Sequence, residues 1–216
     1  MIDPQEVAER VHAIRSDITS LTSSSVAIVA VTKTFGHDAI RAAMSAHCDA
    51  IGENYAQELL AKVEEAPIEL PVHFIGAIQS NKVRQLAPYV ALWQGVDRSS
   101  VIAEIAKRSP GAQILLQVNS TGEESKSGAQ PSEVEALLAQ AIAVGLEVRG
   151  LMTIGPTSGS VSETKKAFSS LRSLADSLGL MHCSMGMSDD YRIAVECGST
   201  MVRIGSRLFG ARHIAH

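Results

Sequence analysis

Val26-Ala27-Ile28-Val29-Ala30-Val31-Thr32-Lys33-Thr34 is the stretch whose reading decides the fold. Six consecutive apolar residues, half of them valine, read as a strand buried on both faces, the kind that occurs in parallel sheets. The run stops at a lysine. An ammonium so close to a buried strand is costly unless it is paired, solvated or chemically employed. One reading has Lys33 snorkelling to water as the chain leaves the sheet. The other makes it a Schiff-base lysine, whose amine attacks a carbonyl once burial lowers its pKa.

Working outward, the same strand-then-helix alternation fills the chain. Residues 4–21 read as an amphipathic helix, with Val7, Val11, Ile14, Ile18 and Leu21 at spacings of three and four and Pro4 in the first turn. After the lysine strand comes a helix from residue 37. Further strands are read at residues 50–52, 71–76, 91–96, 113–119, 146–152, 180–184 and 200–205. The intervening helices run from after Tyr55 to about residue 65, over 81–86, up to 107 with Asp97 or Ser99 as cap, and over 131–144, 163–178 and 189–197. Eight units of about 27 residues each fit the small end of the (β/α)8 barrel range. The expectation is therefore an α/β fold, one TIM-barrel domain over residues 1–216 with an extra N-terminal helix. A doubly wound open sheet is the main alternative, but no Gly-rich dinucleotide turn follows the first strand.

Composition narrows the function classes. Hydrophobic residues make up 45% of the 216 and aromatics only 4%, which suits small aliphatic side chains packing helices on strands. The net charge of -4 with dispersed Lys and Arg lacks the footprint of a nucleic-acid binder. No apolar run approaches the ~18 residues of a membrane span, and the N-terminus lacks a signal-peptide pattern, so a cytoplasmic location is expected. Cys48, Cys183 and Cys197 read as buried small hydrophobes rather than a disulfide frame. The seven histidines form no metal-ligating pair, His213 and His216 read as tail, and no metal site is expected.

In a barrel of this kind the active site lies at the C-terminal ends of the strands. Those ends carry Lys33, Glu53-Asn54-Tyr55, Gln79-Ser80-Asn81-Lys82, Asn119, Met152-Thr153, Ser184 to Ser188, and Gly205-Ser206. Barrels commonly hold phosphate with the loops after strands seven and eight, where hydroxyls donate and glycine admits the ligand to backbone N–H groups. Ser188 could equally cap the next helix, and Gly205 could simply turn the chain. Together, opposite a strand-end lysine, they suggest a phosphorylated carbonyl ligand, either pyridoxal 5'-phosphate or a sugar-phosphate aldehyde. Arg203 bears on that choice. Pyridoxal enzymes place an Asp or Arg beside the pyridine nitrogen, whereas a last-strand arginine otherwise makes a surface ion pair.

Ala30-Val31-Thr32-Lys33, Gly52-Glu53-Asn54-Tyr55, His73-Phe74-Ile75-Gly76 with Gln79-Ser80-Asn81-Lys82, Gly150-Leu151-Met152-Thr153, Ser184-Met185-Gly186-Met187-Ser188 and Met201-Val202-Arg203-Ile204-Gly205 occur in this order over almost the whole chain. The set resembles the motifs of the pyridoxal phosphate homeostasis protein family, which is similar in fold to the N-terminal barrel of alanine racemase. The resemblance implies pyridoxal 5'-phosphate as cofactor, with Lys33 carrying the aldimine and Arg203 facing the pyridine nitrogen. It further implies that Ser188, Gly205 and Ser206 hold the phosphate while Asn54 and Met152 line the ring. Ser206 stands where the family usually has Thr and keeps the hydroxyl; Ala77-Ile78 also departs from the usual context without touching the aldimine position.

The resemblance implies buffering or delivery of the cofactor, with PLP-requiring apo-enzymes as recipients, and no catalytic residue is assigned. Two features of the sequence agree. The chain stops soon after the eighth strand, leaving no stretch for a second domain that would bring a tyrosine acid/base, and an arginine at the ring nitrogen weakens the ring as an electron sink. A small PLP-dependent amino-acid racemase using Tyr55 or Glu53 is the alternative, and a Schiff-base aldolase a third. No nucleic-acid or membrane partner is expected, and the absence of a heptad or apolar strip favours a monomer.

Overall fold

In the computed structural model, which describes residues 2–157 and 159–210, eight parallel strands close into a barrel in sequential order, β1 to β8. They are β1 (Ala27–Val31), β2 (Ala50–Glu53), β3 (Val72–Phe74), β4 (Val90–Val96), β5 (Gln113–Gln117), β6 (Glu147–Met152), β7 (His182–Ser184) and β8 (Met201–Ile204). Between them run α2 (His37–Ser45), α3 (Ala56–Glu65), α4 (Ser80–Leu86), α5 (Ser99–Arg108), α6 (Val134–Ala143), α7 (Val161–Ser177) and α8 (Tyr191–Glu196). The barrel closes where β1 pairs with β8, with Val29 opposite Arg203 and Ala30 opposite Ile204.

The alternation of side chains along each strand divides the core in two. One set fills the barrel: Val29, Ala50, Leu92, Leu115, Met152 and Met201. The other set points outward and meets the helices, with Trp93 and Phe74 among its largest fully buried members; Phe168 of α7 is buried in the same layer from the helix side. This is why the β1 run had no polar face. Ile28 and Ala30 pack outward while Val29 packs inward, and all three are fully buried.

The N-terminal helix α1 (Pro4–Leu21) has the expected bounds. Asp3 caps it, its carboxylate accepting from the Gln5 backbone N–H at 2.9 Å, and Val7, Val11, Ile14 and Ile18 form its buried stripe. Elsewhere the structure corrects several boundaries. β5 ends at Gln117, because Val118 bridges to Ala129 and Asn119 turns the chain by accepting from Gly122 at 3.1 Å. β7 starts only at His182, since the carbonyls of Leu180 and Met181 accept from Arg172 instead of a neighbouring strand. Helix α5 has Arg98 at its N-cap, so neither Asp97 nor Ser99 caps it; Asp97 pairs with Arg98 at 2.6 Å. Residues 131–133 form a 3-10 turn before α6. A short helix α9 (Ser206–Phe209), not expected from the sequence, follows β8.

All three cysteines are free. Cys48 and Cys183 are buried as expected, and burial pushes their thiols up to about 12 and about 11. Cys197 is only half-buried, contrary to the sequence reading, because it closes α8 rather than packing on a strand. His213 and His216 lie outside the described residues. Since the thiolate is the reactive species, the native protein at pH 8 should react with one equivalent of an aromatic disulfide reagent, at Cys197. Three equivalents should react after unfolding in guanidinium, and mass mapping of the labelled peptide checks the assignment.

Candidate functional site

Lys33 emerges from the C-terminal end of β1, and side chains of α3 fix the backbone on both sides of it. Before the lysine, the Thr32 carbonyl accepts from Nζ of Lys62 at 2.8 Å. After it, Thr34 adopts a left-handed backbone with φ 68°, an unfavourable conformation for a β-branched residue that persists only where its surroundings enforce it. Its N–H donates to the Glu58 carboxylate at 2.8 Å.

Lys62 is itself anchored. Its ammonium meets Oε1 of Glu53 at 2.5 Å, and the Thr32 hydroxyl donates to the same oxygen at 2.5 Å. Both charged side chains are buried, and Oε2 of Glu53 is buried without a hydrogen-bond partner. Burial pushes the Glu53 carboxyl above its usual range, with the Lys62 charge opposing it. Lys62 was not legible as a site residue. Its one signal is its place three residues after Leu59 on α3, the helix's other buried position, where a lysine needs a partner.

Arg203, at the end of β8, is buried rather than in the surface ion pair that was its alternative reading. One terminal nitrogen donates to the carbonyl and the hydroxyl of Ser184, both at 2.8 Å, and the other donates to the Thr153 carbonyl at 2.7 Å. Burial pulls its pKa down to about 10, and Asp190 works against that, so it remains cationic at neutral pH. In the loop after β7, Ser188 does not cap α8, whose N-cap is Asp190. Its Oγ accepts from the Arg207 N–H at 3.3 Å and so links this loop to the start of α9.

These elements enclose a cavity of about 230 Å³ at the C-terminal mouth of the barrel. Lys33, Asn54, Met152, Ser188, Arg203, Gly205 and Ser206, the residues singled out from the sequence, all line it. Val31, Ile75, Ile154 and Met187 add apolar wall, and Asp189 adds a carboxylate. Oδ1 of Asn54 is buried there with no partner, an acceptor waiting for a donor. The remaining strand-end residues do other work. Tyr55, Gln79 and Lys82 line an adjoining hollow that shares Asn54, Glu53 is sealed in its ion pair, and Asn119 holds a turn. Neither Tyr55 nor Glu53, the acid/base candidates of the racemase reading, is on the cavity wall. Among the described residues no group of His, Cys, Asp or Glu could hold a metal.

The donor set fits pyridoxal 5'-phosphate. It combines one amine, one permanently charged guanidinium, two hydroxyls beside a glycine, and apolar walls for a flat ring.

The buried pair makes a direct prediction. Lys62→Met leaves Glu53 buried and uncompensated and should lower unfolding free energy by about 3–5 kcal/mol in urea titrations. Adding Glu53→Gln should restore much of the loss; additive losses would mean that the two side chains act independently.

Comparison with known proteins agrees with the geometry. Residues 2–213 match the family model described as alanine racemase, N-terminal domain. The pyridoxal phosphate homeostasis protein of Pseudomonas aeruginosa is 42% identical over 198 residues, covering 88% of this chain and 86% of that protein. The structure of PipY from Synechococcus elongatus with PLP bound superposes with a TM-score of 0.80 at 31% identity, covering 94% of this chain and 100% of that one. An alanine racemase from Streptomyces lavendulae shares the fold alone, at 20% identity and a TM-score of 0.78, with 97% of this chain matching 58% of that one. On this evidence the chain belongs to the pyridoxal phosphate homeostasis protein family, a branch of the alanine racemase N-terminal barrels.

Proposed function

We propose that this protein binds pyridoxal 5'-phosphate in the mouth of the barrel and serves cofactor homeostasis, storing it and handing it on without turning over a substrate. The observation that carries the reading is the convergence on one small cavity of Lys33, Arg203 and the Ser188/Ser206 hydroxyls. The family's name and the PLP-bound PipY structure support the same ligand. When bound, the cofactor supplies an aldehyde that condenses reversibly with an amine and releases one water.

Each residue then has a task. Lys33 presents the amine. Arg203 donates toward the ring nitrogen, and a fixed cation there opposes protonation of the ring. Ser188 and Ser206 donate to the phosphate, Gly205 lets it approach the chain, and Met152 packs against the ring. Asn54 supplies an acceptor on the same wall. No catalytic residue is assigned. The absence of Tyr55 and Glu53 from the wall counts against the racemase reading, as does a ring made a poor electron sink.

Residues 1–216 act in this proposal as one cofactor-holding unit, a monomer working in the cytoplasm and supplying PLP-requiring apo-enzymes. Among the described residues no helix is long and apolar enough to cross a membrane. Borohydride treatment of the protein saturated with pyridoxal 5'-phosphate should fix one pyridoxyl group on the peptide containing Lys33. Lys33→Ala should keep the circular dichroism of the wild type and lose that label. A label found chiefly on other lysines of the wild type, or turnover of free amino acids that depends on Lys33, would overturn the proposal.

A further inference from the structure

The contacts of Arg203 continue through the barrel interior. The Ser184 hydroxyl that accepts from Arg203 donates in turn to Oε1 of Gln94 at 2.7 Å. Nε2 of Gln94 reaches Nδ1 of His73 at 2.9 Å and Sδ of Met201 at 3.1 Å. Gln94 and Ser184 are both fully buried. The chain of bonds thus joins β8, β7, β4 and β3 and ends, on the cavity side, at Arg203.

Its direction is forced by the chemistry of its members. A thioether can only accept, so the Gln94 amide must turn its NH2 toward Met201 and its oxygen toward Ser184. That commits the single Ser184 proton to Gln94. Ser184 Oγ is left facing Arg203 as an acceptor, which is what a donor-only guanidinium requires. At the far end the Gln94 NH2 donates to Nδ1 of His73, which places the imidazole proton on Nε2. Burial pulls the His73 pKa down to about 4, so the ring is the neutral acceptor that this bond needs.

We infer that Gln94 is a positioning residue for the cofactor site, acting through Ser184 to fix which edge of the Arg203 guanidinium faces the cavity. Without Gln94 the Ser184 hydroxyl turns freely. Arg203 would then be held dependably only by the carbonyls of Ser184 and Thr153. A guanidinium held in one orientation presents a defined N–H to a ring nitrogen, and that contact sets how far the ring is protonated. The inference rests on pyridoxal 5'-phosphate being the ligand.

The test compares wild type, Gln94→Leu, Ser184→Ala and the double variant, each titrated with pyridoxal 5'-phosphate. The readouts are the dissociation constant, the visible absorption of the bound cofactor and the melting temperature. Each single variant should weaken binding about tenfold and shift the absorption, the loss of one buried hydrogen bond to a charged group. The double variant should be no worse than about the Ser184→Ala single, because both break the same chain. A purely structural role would lower the melting temperature and leave the absorption of the bound cofactor unchanged. That result, binding within twofold of wild type, or additive losses would overturn the inference. If Gln94→Leu does not fold, Gln94→Met, which keeps the length of the side chain and removes the amide, carries the same readouts and takes its place in the comparison. A wild-type protein without saturable binding or visible absorption would overturn the ligand assignment itself and the inference with it, an outcome seen before any variant is compared.

Discussion

The ion pair between Glu53 and Lys62 is the constraint from which the site is built. Two opposite charges buried 2.5 Å apart tie the end of β2 to the middle of α3. From that fixed point Lys62 reaches the Thr32 carbonyl, and one turn earlier on the same helix Glu58 takes the Thr34 N–H. Lys33 is therefore suspended between two clamped residues, and the unfavourable left-handed turn at Thr34 is held in place by that clamp. A buried pair of this kind is weak evidence for net stability, because desolvation offsets much of the attraction. Its value lies in geometry, since a single arrangement satisfies both charges and the chain around the lysine must follow.

A second polar system crosses the barrel interior, from Arg203 on β8 through Ser184 and Gln94 to His73 on β3. The lower interior of the barrel is aliphatic, with Val29, Leu92, Leu115 and Met201 in contact. Two residues further along their strands stand Gln94 after Leu92 and Arg203 after Met201. The period of a strand keeps residues i and i+2 on one face, so these polar groups point into the barrel as the apolar ones do. They are tolerated because their hydrogen bonds are satisfied by one another and by backbone carbonyls. An apolar floor and a hydrogen-bonded polar ceiling together form a rigid platform. Rigid platforms hold a ligand with little ordering cost.

Much of this was legible in the sequence because it rests on period and position. The β1 run, the α1 stripe and the strand-helix alternation specify a barrel, and the strand ends then name the cavity residues. What escaped has a common physical cause. The end of β5 and the late start of β7 were decided by side chains taking backbone groups, such as Arg172 taking the carbonyls of Leu180 and Met181. The expected α5 cap Asp97 is occupied by the Arg98 side chain instead. The short helix α9 has too few residues for a period to show. Lys62 and Gln94 matter through partners 9 and 90 positions away, Glu53 and Ser184, and such pairings exist only once the barrel has closed.

The extra helix α1 also acquires a purpose from this arrangement. Lys33 and Arg203 stand on β1 and β8, the two strands that meet at the closing seam, so a ligand touching both bridges the least local pairing in the barrel. α1 braces that seam from outside. Asp17 accepts from the Tyr191 hydroxyl at 2.5 Å and pairs with Arg192 at 2.6 Å, fixing α8; Arg10 donates to the Leu208 carbonyl at 2.7 Å, fixing α9. Helix α8 follows the loop that carries Ser188, and α9 itself begins at Ser206. A barrel without α1 could still align its strands, but the loops at its seam would lose their external support. The N-terminal helix is thus part of what keeps the Ser188 and Ser206 hydroxyls in register with Lys33 and Arg203.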